Sequence, residues 1–407
     1  MSEQPYKIAV ADEDLNLLQR KLDLIRFPDE LENAGWDYGV PLSDIERLAA
    51  RWKDGYDWRK YEAELNELPQ FTRDIEVEGF GTLNIHYIHQ RSPEENAIPL
   101  LFVHGWPGSF FEARKIVPLL TSKSEPEHPS FHVVVMGLPG YGFSEAPKKK
   151  GFALSQYAEV GNKLMLALGY DEYVTQGGDW GYVITRKMAK LYGGKYVKAW
   201  HTNCTLASPP SFTRHPVLAL SHFLHTYTPF SPYNEYERKG LEHTNQFRTK
   251  GSGYSAEQAT QPQTLGYSLA DSPVGLLAWI YEKLVRWTDG YKWDDDEVLT
   301  WISIYWFSRA GPAASLRIYY ETVKDRSNLD LVPGVPMGVS YFPAELFVVP
   351  KSWMRTVGDV VFLAEHPGGG HFAAHEKPDE LVADLRKMFG KGGPAFHVVQ
   401  GKSGYSA

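Results

Sequence analysis

Apolar residues recur along this chain with two periods, and the change between them divides it. Near the N-terminus Leu15, Leu18, Leu22 and Ile25 fall at helical spacing and predict a helix over Asp12–Arg26, stopped by Pro28. A second helix fits Leu42–Lys53, with Ser43 as its N-cap. Residues 70–90 alternate instead, with Phe71, Ile75, Val77 and then Leu83, Ile85, Tyr87 on one face, and predict strands. From Ile98 the apolar runs become continuous and end at glycine-rich turns: IPLLFVHGWPG, HVVVMGLPGYG and YVTQGGDWG. Continuous runs are what strands buried on both faces of a parallel sheet look like. Helical stretches at Ser155–Leu168 and Gly181–Tyr192 lie between them, so the order is strand–helix–strand, an α/β arrangement. Over residues 207–320 the alternation stops. An aromatic, proline-rich and mostly helical stretch, notably Pro273–Trp287 and Glu297–Arg309, reads as an inserted lid. The series then resumes with VPMGVSYFPAEL, DVVFLAEHPGGGHF and a last amphipathic helix over Pro378–Phe389. The division expected is a lead-in meander segment at 1–95, core at 96–206 and 321–390, lid at 207–320, and a glycine-rich, loosely held tail at 391–407.

Composition narrows the function. A chain of 407 residues that is 43% hydrophobic can build a large core, and fits one catalytic domain with additions. A net charge of −8 argues against nucleic acid as a partner, and Lys148-Lys149-Lys150 reads as a solvated loop. The single cysteine, Cys204, cannot form an internal disulfide and reads as a small buried residue, which suits a reducing compartment. The start MSEQPYKIAV has no apolar stretch of signal-peptide length, and no window approaches a membrane span. The expectation is a soluble, cytoplasmic protein, with peripheral membrane contact left open.

Four motifs carry chemistry. Gly177-Gly178-Asp179-Trp180-Gly181 follows a strand and precedes a helix, as a nucleophile elbow requires, with small residues flanking the reactive one. Aspartate at the centre selects displacement at saturated carbon, leaving an ester on the enzyme. Ser144, in GFSEA, is followed by Pro147 and three lysines, so no helix starts where a serine elbow would need one. His104-Gly105-Trp106-Pro107-Gly108 follows Leu100–Val103 and can aim a backbone N–H at an oxyanion. The N–H groups of Trp106 and Trp180 are the candidates, since Pro107 has none to give. His371 lies in a loop with three glycines after Val360–Leu363, and Glu345 follows the strand Met337–Tyr341. Asp179, Glu345 and His371 obey the order nucleophile, acid, histidine of α/β-hydrolases. His366 and His375 are rivals for the histidine, Asp359 and Glu365 for the acid, and His104 reads as a packed turn residue. Glu376 does not complete an HExxH zinc site with His371 and His375, so no metal is expected.

An aspartate elbow with a histidine serves haloalkane dehalogenases as well as epoxide hydrolases. Here the chain resembles the microsomal type of epoxide hydrolase and its soluble microbial relatives over Tyr6 to about Phe389. The resemblance rests on HGWPGS, GGDWG, the lid stretch Gly251–Tyr254, DSPVGLLAWI from Asp271, SLRIY from Ser315, FPAEL from Phe342 and GGHFAA from Gly369. It implies an α/β-hydrolase fold with a mostly parallel sheet and a helical lid. It also implies Tyr254 and Tyr319 as paired lid acids, with Tyr320 and Tyr267 the nearest wrong choices, and hydrolysis of an epoxide by water to a vicinal diol without a cofactor. Relatives with glutamate in the acid position match Glu345. Microsomal members carry an N-terminal membrane anchor that this start does not resemble, and relatives often dimerise, so a homodimer is an expectation of the resemblance alone. Abundant lid aromatics point to an apolar or aryl substituent. The other readings are a dehalogenase, and a silent relative that only binds its ligand.

Overall fold

Every position of Ile98–Val103 and of Tyr173–Gly177 is buried, which only a strand covered on both faces can achieve. The computed structural model describes residues 3–125, 128–323 and 331–406. Its strands are β1 (Gln4–Pro5), β2 (Gln70–Val77), β3 (Gly81–Gln90), β4 (Ile98–Val103), β5 (Phe131–Met136), β6 (Tyr173–Gly177), β7 (Val197–Thr202), β8 (Val332–Tyr341) and β9 (Gly358–Glu365). They form one sheet in the order β1-β2-β3-β5-β4-β6-β7-β8-β9. The first three strands are antiparallel to their neighbours, and from β5 to β9 every pair is parallel. The molecule thus has the α/β-hydrolase fold.

The strand order places the site. β4 lies between β5 and β6, so the chain leaves it first to one side and later to the other. Such a reversal opens a crevice beyond the carboxyl ends of the strands. Val103 and Gly177 are register partners at those ends. The HGWPG turn and Asp179 therefore emerge side by side. Beyond β8 and β9, a single bridge pairs Ala344 with Gly370, and the Ala344 N–H donates to the Gly369 carbonyl at 3.0 Å. That stitch brings the loop of Glu345 to the loop of His371.

Helices at Pro216–Tyr227, Glu235–Gln246, Gly253–Thr260, Pro262–Asp271, Pro273–Arg286 and Asp295–Trp306 follow β7; the apolar faces of the last five join the same continuous core, whereas Pro216–Tyr227 leaves Val217, Leu220, Phe223 and Tyr227 exposed. The N-terminal helices Asp12–Asp23 and Leu42–Asp54 bind this cover. Lys21 pairs with Asp271 at 2.5 Å, Arg51 with Asp296 at 2.7 Å, and Arg47 with Asp295.

Two local expectations need correction, and one helix was not expected. Ser43 does not cap Leu42–Asp54: Pro41 holds the N-cap position, and the Leu42 N–H finds its acceptor in the Glu30 carboxylate at 2.7 Å, leaving Ser43 inside the first turn. An unforeseen helix, Trp58–Leu65, follows Asp57, which caps it through the Arg59 N–H at 3.0 Å; eight residues are too few to announce a period. The tail is not loosely held. Ala395, Val399 and Tyr405 are buried, and Gly404 exchanges backbone bonds with Ser130 and Asn96, both at 2.7 Å. Its glycines make turns that fold it back onto the sheet. Among the described residues, no helix is long and apolar enough to cross a membrane.

Candidate active site

Asp179 sits at φ 52°, ψ −127°, between β6 and the helix Trp180–Tyr192. Left-handed backbone at a non-glycine residue costs on the order of 1–3 kcal/mol and persists only where its surroundings enforce it. Here the neighbours do so. A Cβ on Gly181 would stand 1.8 Å from the Val103 carbonyl oxygen, and one on Gly177 would stand 2.5 Å from the Gly181 backbone. The turn closes against β4 only because both are glycine. Asp179 is thereby lifted beyond the sheet, where its Oδ1 accepts the Trp106 N–H at 2.8 Å. Gly105 makes the same approach possible, since its Cβ would fall 2.3 Å from that oxygen. The Trp180 N–H is the first donor of its helix and has no intrahelical acceptor by geometry; it makes no comparable bond to Asp179.

On the other side of Asp179, His371 Nε2 lies 3.5 Å from Oδ2. Its Nδ1 lies 2.7 Å from Glu345 Oε1, which also accepts the Leu346 N–H at 2.6 Å. Glu345 is fully buried and His371 nearly so. The His371 backbone is pinned by its own N–H to the Trp287 carbonyl at 2.8 Å and by Asn203 Nδ2 to its carbonyl at 3.3 Å. Burial works against charge on this imidazole, but the Glu345 and Asp179 carboxylates together outweigh it and hold its pKa well above the ordinary histidine value.

The cover supplies the third wall. A turn of π-helix, Phe247–Gly251, links Glu235–Gln246 to Gly253–Thr260 and delivers Tyr254, while Tyr319 comes from Arg317–Thr322. Tyr254 stacks on Trp106 with centroids 5.2 Å apart, and Tyr319 meets Trp180 edge-on at 4.8 Å. The two tyrosine rings lie 5.9 Å apart. Both are buried, and the Tyr319 hydroxyl has no hydrogen-bond partner among the described residues. Burial, with the Asp179 charge as a further cause, pushes both phenols well above their usual pKa, so they stay protonated as donors. Between the tyrosines and Asp179 lies a cavity of about 210 Å³ walled by apolar side chains such as Val183, Leu206, Phe247 and Phe347.

The comparisons with known proteins agree with this architecture. A family model described as the epoxide hydrolase N terminus matches residues 3–113, and one for the alpha/beta hydrolase fold matches residues 98–274. A putative epoxide hydrolase of Stigmatella aurantiaca is 39% identical over 398 residues, covering 95% of this chain and 84% of that one. The chain belongs to the epoxide hydrolase family. Epoxide hydrolase 1 of Oryctolagus cuniculus is 36% identical over 95% of this chain and 88% of its own. The solved structure of Aspergillus niger epoxide hydrolase superposes with a TM-score of 0.81 at 34% identity, over 95% of each chain.

Within this epoxide hydrolase fold the rival residues lie elsewhere. His366 pairs with Asp384 at 2.6 Å and His375 with Glu297 at 2.8 Å. His104 is buried between the Gly105 carbonyl and the Leu138 N–H, and burial lowers its pKa to about 4. Asp359 accepts the Gly334 N–H and Glu365 pairs with Lys351. Ser144 is buried against the Gly137 carbonyl at 2.7 Å. Tyr267 is 71% exposed and Tyr320 37%. Cys204 is buried, as expected, and borders the apolar cavity. Sequence reasoning overlooked Asn203, Trp287 and Glu112, all of which border Asp179 or His371. Glu112 alone left a signal, a lone acid in the apolar stretch SFFEARKIV.

Proposed function

We propose that the protein hydrolyses an epoxide to a vicinal diol through an ester on Asp179. The single observation that carries this reading is the arrangement about that carboxylate. One oxygen is held by a backbone N–H, the other faces His371, and two protonated tyrosines stand across an apolar cavity. With Oδ1 engaged by Trp106, Oδ2 is the free nucleophile. The epoxide enters the cavity with its oxygen toward Tyr254 and Tyr319. Asp179 Oδ2 forms a bond to one ring carbon as that carbon–oxygen bond breaks, and a tyrosine gives its proton to the developing alkoxide. The product of this step is a hydroxyalkyl ester.

Ester formation removes the Asp179 charge. It thereby removes one of the influences that raise His371, so the imidazolium gives its proton to the tyrosinate left by ring opening and becomes a neutral base. Glu345 holds Nδ1–H, so Nε2 takes a proton from water. The water oxygen bonds to Asp179 Cγ, and negative charge gathers on Oδ1, where the Trp106 N–H already points. Trp180 is the second donor proposed for this oxyanion. Collapse breaks the ester, the alkoxide takes a proton from the imidazolium, the diol leaves, and the proton left on the Asp179 carboxyl passes to His371, which restores the starting charges. Apolar walls suit an apolar or aryl substituent on the epoxide.

The test is product analysis with an aryl epoxide and a chloroalkane of similar size. Diol from the first without chloride from the second is the expected result. Chloride release without diol would favour a dehalogenase, and tight epoxide binding without diol a silent relative.

A further inference from the structure

Two cavities meet at Asp179 and His371, and those two residues are all they share. The larger is the apolar one beneath the lid tyrosines. The smaller, of about 10 Å³, lies on the opposite side of the dyad. That is room for about one water centre, and a buried water needs roughly two to four polar partners. Partners are at hand. Glu112, Asn203, Asp179 and His371 all line this space. The Asn203 amide is already committed, accepting from Gln176 at 2.9 Å and donating to the His371 carbonyl at 3.3 Å. Glu112 is buried, comes from the short helical turn Phe110–Arg114, and packs so closely under Gly108 that a Cβ there would fall 1.4 Å from its Oε1. Gly108 is therefore the residue that lets a carboxyl reach the back of the site. The scheme above gives this carboxyl no role, and its burial, offset in part by the Gly105 backbone N–H, favours a further hydrogen-bond partner.

We propose that Glu112 is a further catalytic residue, which holds the ester-hydrolysing water against His371 Nε2 in the small cavity behind Asp179. One O–H of the water points to His371 and is the proton transferred. The other is donated to a Glu112 oxygen, which fixes the water's lone pair toward Asp179 Cγ. Glu112 neither gains nor loses a proton in the cycle. Burial, aided by the Asp179 charge against the opposing effect of His371, raises its pKa to about 8, which suits a neutral acceptor that does not compete for the proton. Substrate and water then approach from separate chambers, so the epoxide does not displace the water that later releases it. This inference rests on the ester route proposed above.

The test separates the two half-reactions. Rapid mixing with an aryl epoxide, followed by intact-mass analysis, gives the rates of ester formation and ester loss. Glu112→Met keeps the bulk and removes the acceptor. It is expected to slow ester loss by about 100-fold, comparable to losing one catalytic hydrogen-bonding group, while ester formation changes by less than about threefold. The ester then accumulates, and kcat and KM fall together. Glu112→Gln restores a carbonyl acceptor and is expected to recover most of the lost rate. Glu112→Asn, which withdraws the acceptor by one methylene, reads the same step if the methionine variant does not fold. Equal slowing of both steps, or unchanged ester loss in the methionine and asparagine variants, would overturn the role of Glu112 alone. If the wild type never esterifies Asp179, the underlying route fails whatever the Glu112 variants do.

Discussion

At the residue scale, the account turns on how neighbouring charges set protonation. Both Asp179 and Glu345 raise the His371 pKa against its burial. Removing the Asp179 charge should lower it, and Asp179→Asn mimics the neutral ester. NMR titration of the His371 ring is expected to show a lower pKa in that variant than in the wild type. An unchanged value would mean that Asp179 does not prime the base. In the proposed scheme Tyr254 and Tyr319 share one task, so each Phe variant is expected to slow ester formation by about 10- to 100-fold, and the double variant by more, toward the upper range for lost acid catalysis. Stopped-flow measurement of that step alone checks this, and loss confined to ester hydrolysis would contradict it. Asp179 and His371 were legible in the sequence because strand, turn and glycines announce them. Glu345 was legible through chain order. The tyrosines were legible only by resemblance, since the chain has 24 tyrosines and composition cannot choose among them. Glu112 left only the faint signal of a lone acid in SFFEARKIV, because its placement depends on the space Gly108 leaves.

At the scale of elements, the elbow is a contact between β4 and the turn after β6, and its glycines act differently. Gly181→Ala sets a methyl against the Val103 carbonyl, backbone against backbone, so the helix or strand must move. Overpacking of that kind costs about 1–3 kcal/mol or more, and a marked fall in Tm is expected. Gly105→Ala places its methyl against the Asp179 carboxylate, a side chain that can rotate away. That variant is expected to fold nearly as well and to lose most of its ester formation, as circular dichroism melts beside single-turnover rates would show. Equal Tm losses would mean that the two positions do the same structural job. The strands and long helices were readable from period, since continuous apolar runs and helical spacing survive without tertiary information. The Ser43 cap was misread because the helix starts one residue before it, at Leu42, whose N–H is taken by Glu30 twelve residues away.

At the scale of the whole molecule, the N-terminal helices, the lid and the tail close round a single core. The tail was misjudged because glycine content signals turns as readily as freedom, and only the partner surface decides between them. Tyr405 is buried and its hydroxyl accepts the Lys391 N–H at 3.1 Å. Tyr405→Ala is expected to destabilise the protein by about 3 kcal/mol, the low end for a buried aromatic truncation, read from denaturant midpoints. A change within a few tenths would mean that the tail contributes nothing to the fold. The central claim is that oxygen reaches the diol from Asp179 and not directly from solvent. One turnover with enzyme in excess, an aryl epoxide and heavy-oxygen water tests it most directly. The account predicts an unlabelled first diol and heavy oxygen retained on the peptide carrying Asp179. Heavy oxygen in that first diol, with none on the peptide, would contradict it and leave Asp179 at most a base.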